Sequence, residues 1–214
     1  MTGKQIKKAI NSLREEIDLD KDKKLIEIFK IAKILVKKFY DLNSTEETPA
    51  ELQNKILELN EESFINTYKK TSKGMKDIYG DVMSFNEKNL EKLTYTEDGK
   101  NYKERLDMYY AEILKDKKEG KTEKEALLRF QSKLEKLLNT ETRHIETAVK
   151  LNKKPKGELY VSIGHGCGGC PKGIFKEDEV PDYPPYHPEC VCNWHYLRET
   201  DVEDEVELME EFEE

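Results

Sequence analysis

The sequence predicts a mainly α protein. An amphipathic helical body comes first, then a small β-containing Cys/His module of zinc-knuckle type, then an acidic tail. Three observations lead there. Apolar residues recur at helical spacing up to about residue 150. All four Cys, all four His and the only Trp lie between residues 144 and 195, and six of the seven Pro lie at or after Pro155. Ten acidic residues and no basic one occupy 199–214. These breaks divide the 214 residues into a body at 1–153, a metal-binding module at 154–198 and a tail at 199–214.

Composition narrows the choices further. Charged residues make up 38% and apolar residues 36%. That balance disfavours one deep core around a large parallel sheet and suits helices with thin apolar stripes. No apolar run approaches the ~20 residues of a membrane span. The basic start, Lys4 to Lys8, has no apolar signal core behind it, so the protein is expected to stay in the cytoplasm of the cell that makes it. A net charge of -8 has the wrong sign for DNA binding driven by bulk charge. The charge is uneven, however: residues 1–198 hold 35 acids and 37 bases, a net of +2, so Lys-rich helices could still meet nucleic acid locally. Lys outnumbers Arg 32 to 5, the signature of an AT-rich coding genome.

The body reads as a series of helices. Ile6, Ile10, Leu13 and Ile17 mark a first, narrow stripe. Leu25, Ile28, Phe29, Ala32, Leu35, Val36 and Phe39 mark a second helix, from about Asp20 to Tyr40, broken by Asn43-Ser44-Thr45. Thr48-Pro49-Ala50-Glu51 combines a capping box with Pro at the first helical position. Leu52, Ile56 and Leu59 follow, with Phe64, Ile65 and Tyr68 extending toward Lys73. Gly74 to Asp81 reads as a loop, and 86–93 as a short helix. Asp98-Gly99 is a turn signal that could close a small hairpin. Leu106, Tyr109, Tyr110, Ile113 and Leu114 define the next helix, ending near Gly120. Thr122-Glu123-Lys124-Glu125 is a second capping box. Behind it come Ala126, Leu127, Phe130, Leu134, Leu137 and Leu138, with a break at Asn139 possible before Ile145 and Ala148. The Lys-rich faces read as solvated helix surface. Nothing before Leu138 has the look of a catalytic group: no His, no Cys, no phosphate loop and no nucleophile elbow.

The chemistry concentrates in Gly164-His165-Gly166-Cys167-Gly168-Gly169-Cys170 and Pro184-Pro185-Tyr186-His187-Pro188-Glu189-Cys190-Val191-Cys192. A C-x2-C pair sets two thiolates on one tight turn, and the glycines let that backbone curl around a metal. The second half offers His187, Cys190 and Cys192. Five candidates, Cys167, Cys170, His187, Cys190 and Cys192, thus compete for the four corners of a tetrahedral zinc site. The most economical set is Cys167, Cys170 and Cys190 with either His187 or Cys192, leaving His165 and His195 outside. Two disulfides would use the same even count, but a cytosolic chain disfavours them. A thioredoxin-like pair would need a helix after C-x2-C, and Pro171-Lys172-Gly173 starts one poorly. The H-x-E of a zinc deaminase and the H-E-x-x-H of a zinc protease are both missing, and a His-Asn-His nuclease built on His187, Asn193 and His195 lacks its context. The expectation is a closed, structural zinc and no enzymatic activity, metal binding supplying the free energy that so short a segment cannot gain from burial. Residues 158–163 and 192–197 read as strands that pair and join the two cysteine clusters, with Trp194 and Tyr196 packing on the knuckle.

Taken together, these residues resemble a known family. A helix carrying Thr142-Arg143-His144-Ile145-Glu146-Thr147-Ala148 leads to a strand, a C-x2-C pair with Gly173 after it, a variable loop, and P-P-Y-H-P-E-C-V-C. The stretch 140–197 is similar to the C-terminal module of phage head-morphogenesis proteins, the Mu F-like minor capsid family. Its P-P-x-H-P-x-C-x-C element is the most specific part, and Val191 stands where the family has Arg. The resemblance implies a minor head protein in the virion, multicopy, docked on portal or capsid proteins inside the head and made in the bacterial host cytoplasm. It would assist head assembly, genome packaging or delivery, with contact to packaged DNA possible. The alternative is a zinc-dependent cytoplasmic adaptor or regulator that binds a basic protein through Glu199–Glu214. Val202, Val206, Leu208, Met209 and Phe212 thread that tail, which reads as a flexible end, or else as a docking segment ordering on a basic partner.

Overall fold

The computed structural model describes residues 1–41, 48–80, 82, 99–164, 167–180, 182–185, 190, 192–203 and 206. Helix α1 runs from Gly3 to Tyr40. It opens on a capping box: the Gln5 amide donates to Thr2 Oγ1 at 3.4 Å and the Thr2 amide to Gln5 Oε1 at 3.0 Å. The two helices expected at 6–17 and 20–40 are therefore one. Between them the apolar stripe is carried by lysine stems. Lys21 and Lys24 lie along the same face with their ammonium groups paired to Asp18 at 3.0 Å and Glu62 at 2.8 Å. No Gly or Pro interrupts residues 18–24, so the backbone had no reason to break.

Helix α2 spans Pro49–Tyr79 and begins on the expected box, Thr48 Oγ1 accepting the Glu51 amide at 3.3 Å and Glu51 Oε2 the Thr48 amide at 2.7 Å. It does not stop at Gly74, and the loop expected at 74–81 is helix as far as Tyr79. Gly74 is present for closeness rather than for a turn. A Cβ there would lie 2.3 Å from Leu13 Cδ2, so the missing side chain is what lets α1 approach α2. The helix expected at 86–93, and Asp98 with the flank before it, lie outside the described residues; Gly99 sits in a turn at φ +74°.

Helix α3, Tyr102–Lys118, is capped by Asn101, whose Oδ1 accepts the amides of Lys103 and Glu104 at 2.9 and 3.1 Å. Helix α4, Glu123–Asn152, starts on the Thr122 box as expected and passes Asn139 without a break. Cross-pairs fix the directions. Leu13 meets Gly74 and Lys24 meets Glu62, so α1 and α2 are antiparallel. Tyr102 meets Glu61 and Tyr110 meets Gln53 for α2 and α3. Arg105 meets Glu141 and Arg129 meets Asp116 for α3 and α4. Asp18 meets Arg143 and Tyr40 meets Lys121 for α1 and α4. The four described helices thus form an up-down-up-down bundle. Its core joins Ile28, Leu35, Ile56, Phe64, Leu106, Phe130, Leu138 and Ile145.

Beyond α4 lies a three-stranded antiparallel sheet ordered β2-β1-β3, with β1 at Tyr160–Ile163, β2 at Gly173–Lys176 and β3 at Trp194–Leu197. The pairing of β1 with β3 matches expectation, while β2 was not expected. Its four residues, Gly-Ile-Phe-Lys, are too few to show alternation. One sheet face makes a second core. Val161, Ile163, Trp194 and Tyr196 pack with Met75 near the end of α2, and Leu151 of α4 lies against them. Trp194 and Tyr196, expected on the cysteine turns, are the largest side chains of this core. The tail's first residues, Glu199–Asp201, form a 3-10 turn against the start of α1, where a Cβ on Gly3 would meet the Asp201 carbonyl at 3.0 Å. Residues 204–205 and 207–214 lie outside the described residues. No described helix is long and apolar enough to cross a membrane.

Candidate metal centre

The register of the sheet brings the cysteines together. Ile163, the last residue of β1, pairs with Gly173, the first of β2, and with Trp194, the first of β3. The β1–β2 connection, which carries Cys167 and Cys170, therefore leaves from the sheet end where Cys190 and Cys192 enter β3. The Gly164 amide donates to the Asn193 carbonyl at 2.9 Å and closes that end. Within the first pair, the Cys170 amide donates to the Cys167 carbonyl at 3.4 Å, and Gly169 takes φ +112°, a value that an L side chain would strain.

The sulfur atoms of Cys167, Cys170, Cys190 and Cys192 all lie within 4.8 Å of one another, and they could hold a metal ion. A tetrahedral ion with ~2.3 Å metal–sulfur bonds spaces its sulfurs about 3.8 Å apart. The Cys167 and Cys190 sulfurs are 3.9 Å apart. All four are free thiols, so the disulfide reading of the even count does not describe this arrangement. Cys190 and Cys192 are buried, Cys167 and Cys170 half-buried. Burial pushes the Cys192 thiol up to about 12, with the Cys167 backbone pulling the other way, and Cys170 is raised as well, burial again the largest cause. As bare thiols Cys170 and Cys192 stay protonated at neutral pH, so a metal must displace protons to bind.

Of the other sequence candidates, His187 and His165 lie outside the described residues. His195 lies on β3, outside the thiol cluster, and burial, then Lys150 and Lys7, bring it down to about 3. It is therefore neutral at physiological pH.

Sequence reasoning missed what lies beneath the cluster. Arg143 on α4 bonds both carboxylate oxygens of Asp18 on α1, at 2.7 and 2.6 Å, and Glu146 at 2.9 Å. Lys150, only 1% exposed, pairs with Glu146 at 2.7 Å and donates to the Trp194 carbonyl at 3.1 Å. It departs from the expectation of solvated lysines, as does the buried Lys38. Burial would raise the Glu146 carboxyl, but Lys150, Arg143 and Arg14 bring it to about 2. Thr147 completes the link, donating to the Pro184 carbonyl and accepting the Trp194 indole N–H at 3.2 Å. A cleft of about 380 Å³ opens beside the network, with Asp18, Lys21, Arg143, Pro185 and Cys190 on its walls. A usable signal existed. Arg143, Glu146 and Lys150 recur at i, i+3 and i+7, one face of a helix, and Arg is scarce in this chain.

The arrangement joins two kinds of chemistry: a four-sulfur donor set and, under it, a buried ion network that ties the module to α1 and α4. No protein family, no curated protein and no solved structure matches the chain.

Proposed function

We propose that the protein is a structural component of a phage head, a minor head protein docked on portal or capsid proteins, with a zinc ion held by Cys167, Cys170, Cys190 and Cys192. The observation that carries the metal half of this reading is the convergence of four thiols within 4.8 Å of one another, with the Cys167–Cys190 pair at 3.9 Å. Four sulfurs fill the coordination sphere and leave no open position for substrate or water, which favours a structural over a catalytic ion. His187 is then not required as a ligand.

The virion half rests on the resemblance of residues 140–197 and their P-P-x-H-P-x-C-x-C element to Mu F-like minor capsid proteins. Physical sense supports it. A stiff bundle carrying a pinned module suits a part that docks on a larger assembly, in several copies, with packaged DNA within reach of its Lys-rich helices. Quantitative mass spectrometry of purified virions tests this. The expected result is the chain present at a fixed copy number together with the portal protein. Its absence from virions, with the protein free in the host cytoplasm, would favour the adaptor instead.

A further inference from the structure

The ion network beneath the cysteines contains one residue, Arg14, that acts on its neighbours through charge alone. Asn11, Arg14 and Asp18 share one face of α1, at i, i+3 and i+7. Asn11 accepts a hydrogen bond from Asn193, next to Cys192, at 3.1 Å. Asp18 shares the cleft wall with Cys190. Arg14 lies between them on that face, half-buried, and Cys190 is among the groups that act on its charge. Asp18 and Glu146 are taken up by Arg143, and Glu146 also by Lys150. Among the described residues Arg14 makes no hydrogen bond or ion pair of its own. Burial, then the neighbouring Arg143, hold its guanidinium below the usual arginine value, so the position disfavours the very charge it carries.

We propose that Arg14 is the counter-cation of the metal centre, a positioning residue whose partner is the loaded four-thiolate site. This rests on the metal reading above. A divalent ion bound by four thiolates carries two negative charges. Among the described residues, Arg14, Arg143, Lys150 and Lys21 meet three carboxylates there, Asp18, Asp22 and Glu146, leaving one positive charge in excess. Before metal binds, the cysteines do not offset that excess. With metal bound, the guanidinium N–H groups can donate to cysteine sulfur, and the repulsion between Arg14 and Arg143 is offset. Loading would thereby draw α1 against the module, coupling the helical body to the metal state.

The test uses the full reduced chain, stripped of metal and titrated with zinc against a competing chelator, for wild type, Arg14→Met, Arg14→Gln and Arg14→Lys. Removal of such outer-shell partners usually weakens metal binding ~10–100-fold, and that loss is expected for Met and Gln, with Lys recovering part of it. The metal-free melting temperature of Arg14→Met should equal or exceed that of wild type, because a half-buried cation without a hydrogen bond or ion pair among the described residues has been removed. A purely structural Arg14 would lower the melting temperature equally with and without zinc, and that result, or unchanged zinc affinity in Met and Gln, overturns the proposal. If wild type itself takes up no zinc, the metal centre falls first and this inference with it.

Discussion

The hydroxyl of Tyr79 holds both backbone groups of Tyr196: it accepts the Tyr196 amide at 3.0 Å and donates to the Tyr196 carbonyl at 3.1 Å. Tyr196 pairs with Val161 on β1, and β3 is an outer strand of the sheet. One phenol at the end of α2 therefore does for β3 what a neighbouring strand would do, and closes an edge that could otherwise pair with another chain.

Tyr79→Phe keeps the ring, which meets Tyr196 edge-on at 6.2 Å, and removes only the oxygen. It leaves an amide and a carbonyl without their partner, at about 1–3 kcal/mol for a buried group. Urea denaturation of the variant should show a loss of that size. A loss below about 0.5 kcal/mol would mean that water replaces the hydroxyl freely.

Gly74 and Leu13 should be energetically coupled. Gly74→Ala gains roughly 1 kcal/mol of helix propensity but drives a methyl into Leu13, against an overpacking cost of ~1–3 kcal/mol. Adding Leu13→Ala makes room. A double-mutant cycle should show the pair more stable than the sum of the singles by at least about 0.5 kcal/mol. Strict additivity would show that α1 simply slides away.

Metal removal is the third prediction. Reduced protein should contain one zinc per chain, and chelation should lower its melting temperature. Cys190→Ser, which removes a buried sulfur, should lose both the metal and the chelator response. His187→Ala should retain them. Identical melting with and without chelator in wild type would sink the metal centre.

Acid should destabilise the metal-free protein in two stages. Burial, with Lys150 and Lys7, sets His195 at about 3, and burial with Arg105 sets His144 at about 4, both below the ordinary 6.5. Their contribution is complete above pH 6.5 and is lost as pH falls toward 3–4. Glu146, at about 2 against an ordinary 4.5, adds a second loss between those values. Stability should thus decline steadily below pH 6.5, and His195→Gln should flatten the upper part of that slope. A profile level from pH 7 to 4 contradicts this.

The helix starts at Thr48 and Thr122 and the four cysteines were legible because each is a local signal: a cap needs four consecutive residues, and C-x2-C needs one turn. Long-range packing was not. The lysines that continue the α1 stripe look like breaks until Asp18 and Glu62 are seen beside them. Gly74 looks like a turn until Leu13 is seen against it. Strand β2 has four residues and exists because β1 is there to pair with it. Arg14 is separated by 176 residues of chain from Cys190, and no periodicity links them.

Helix α4, with no break at Asn139, has a mechanical meaning. Its 30 residues make a rod about 45 Å long at ~1.5 Å per residue. Glu141 clamps it to α3 near the middle, and Lys150 grips the Trp194 carbonyl near its end. A rod without a joint cannot absorb a pull by bending at one point. A pull on the cysteine module would be spread along the length of that helix and into α3 rather than taken up at one hinge.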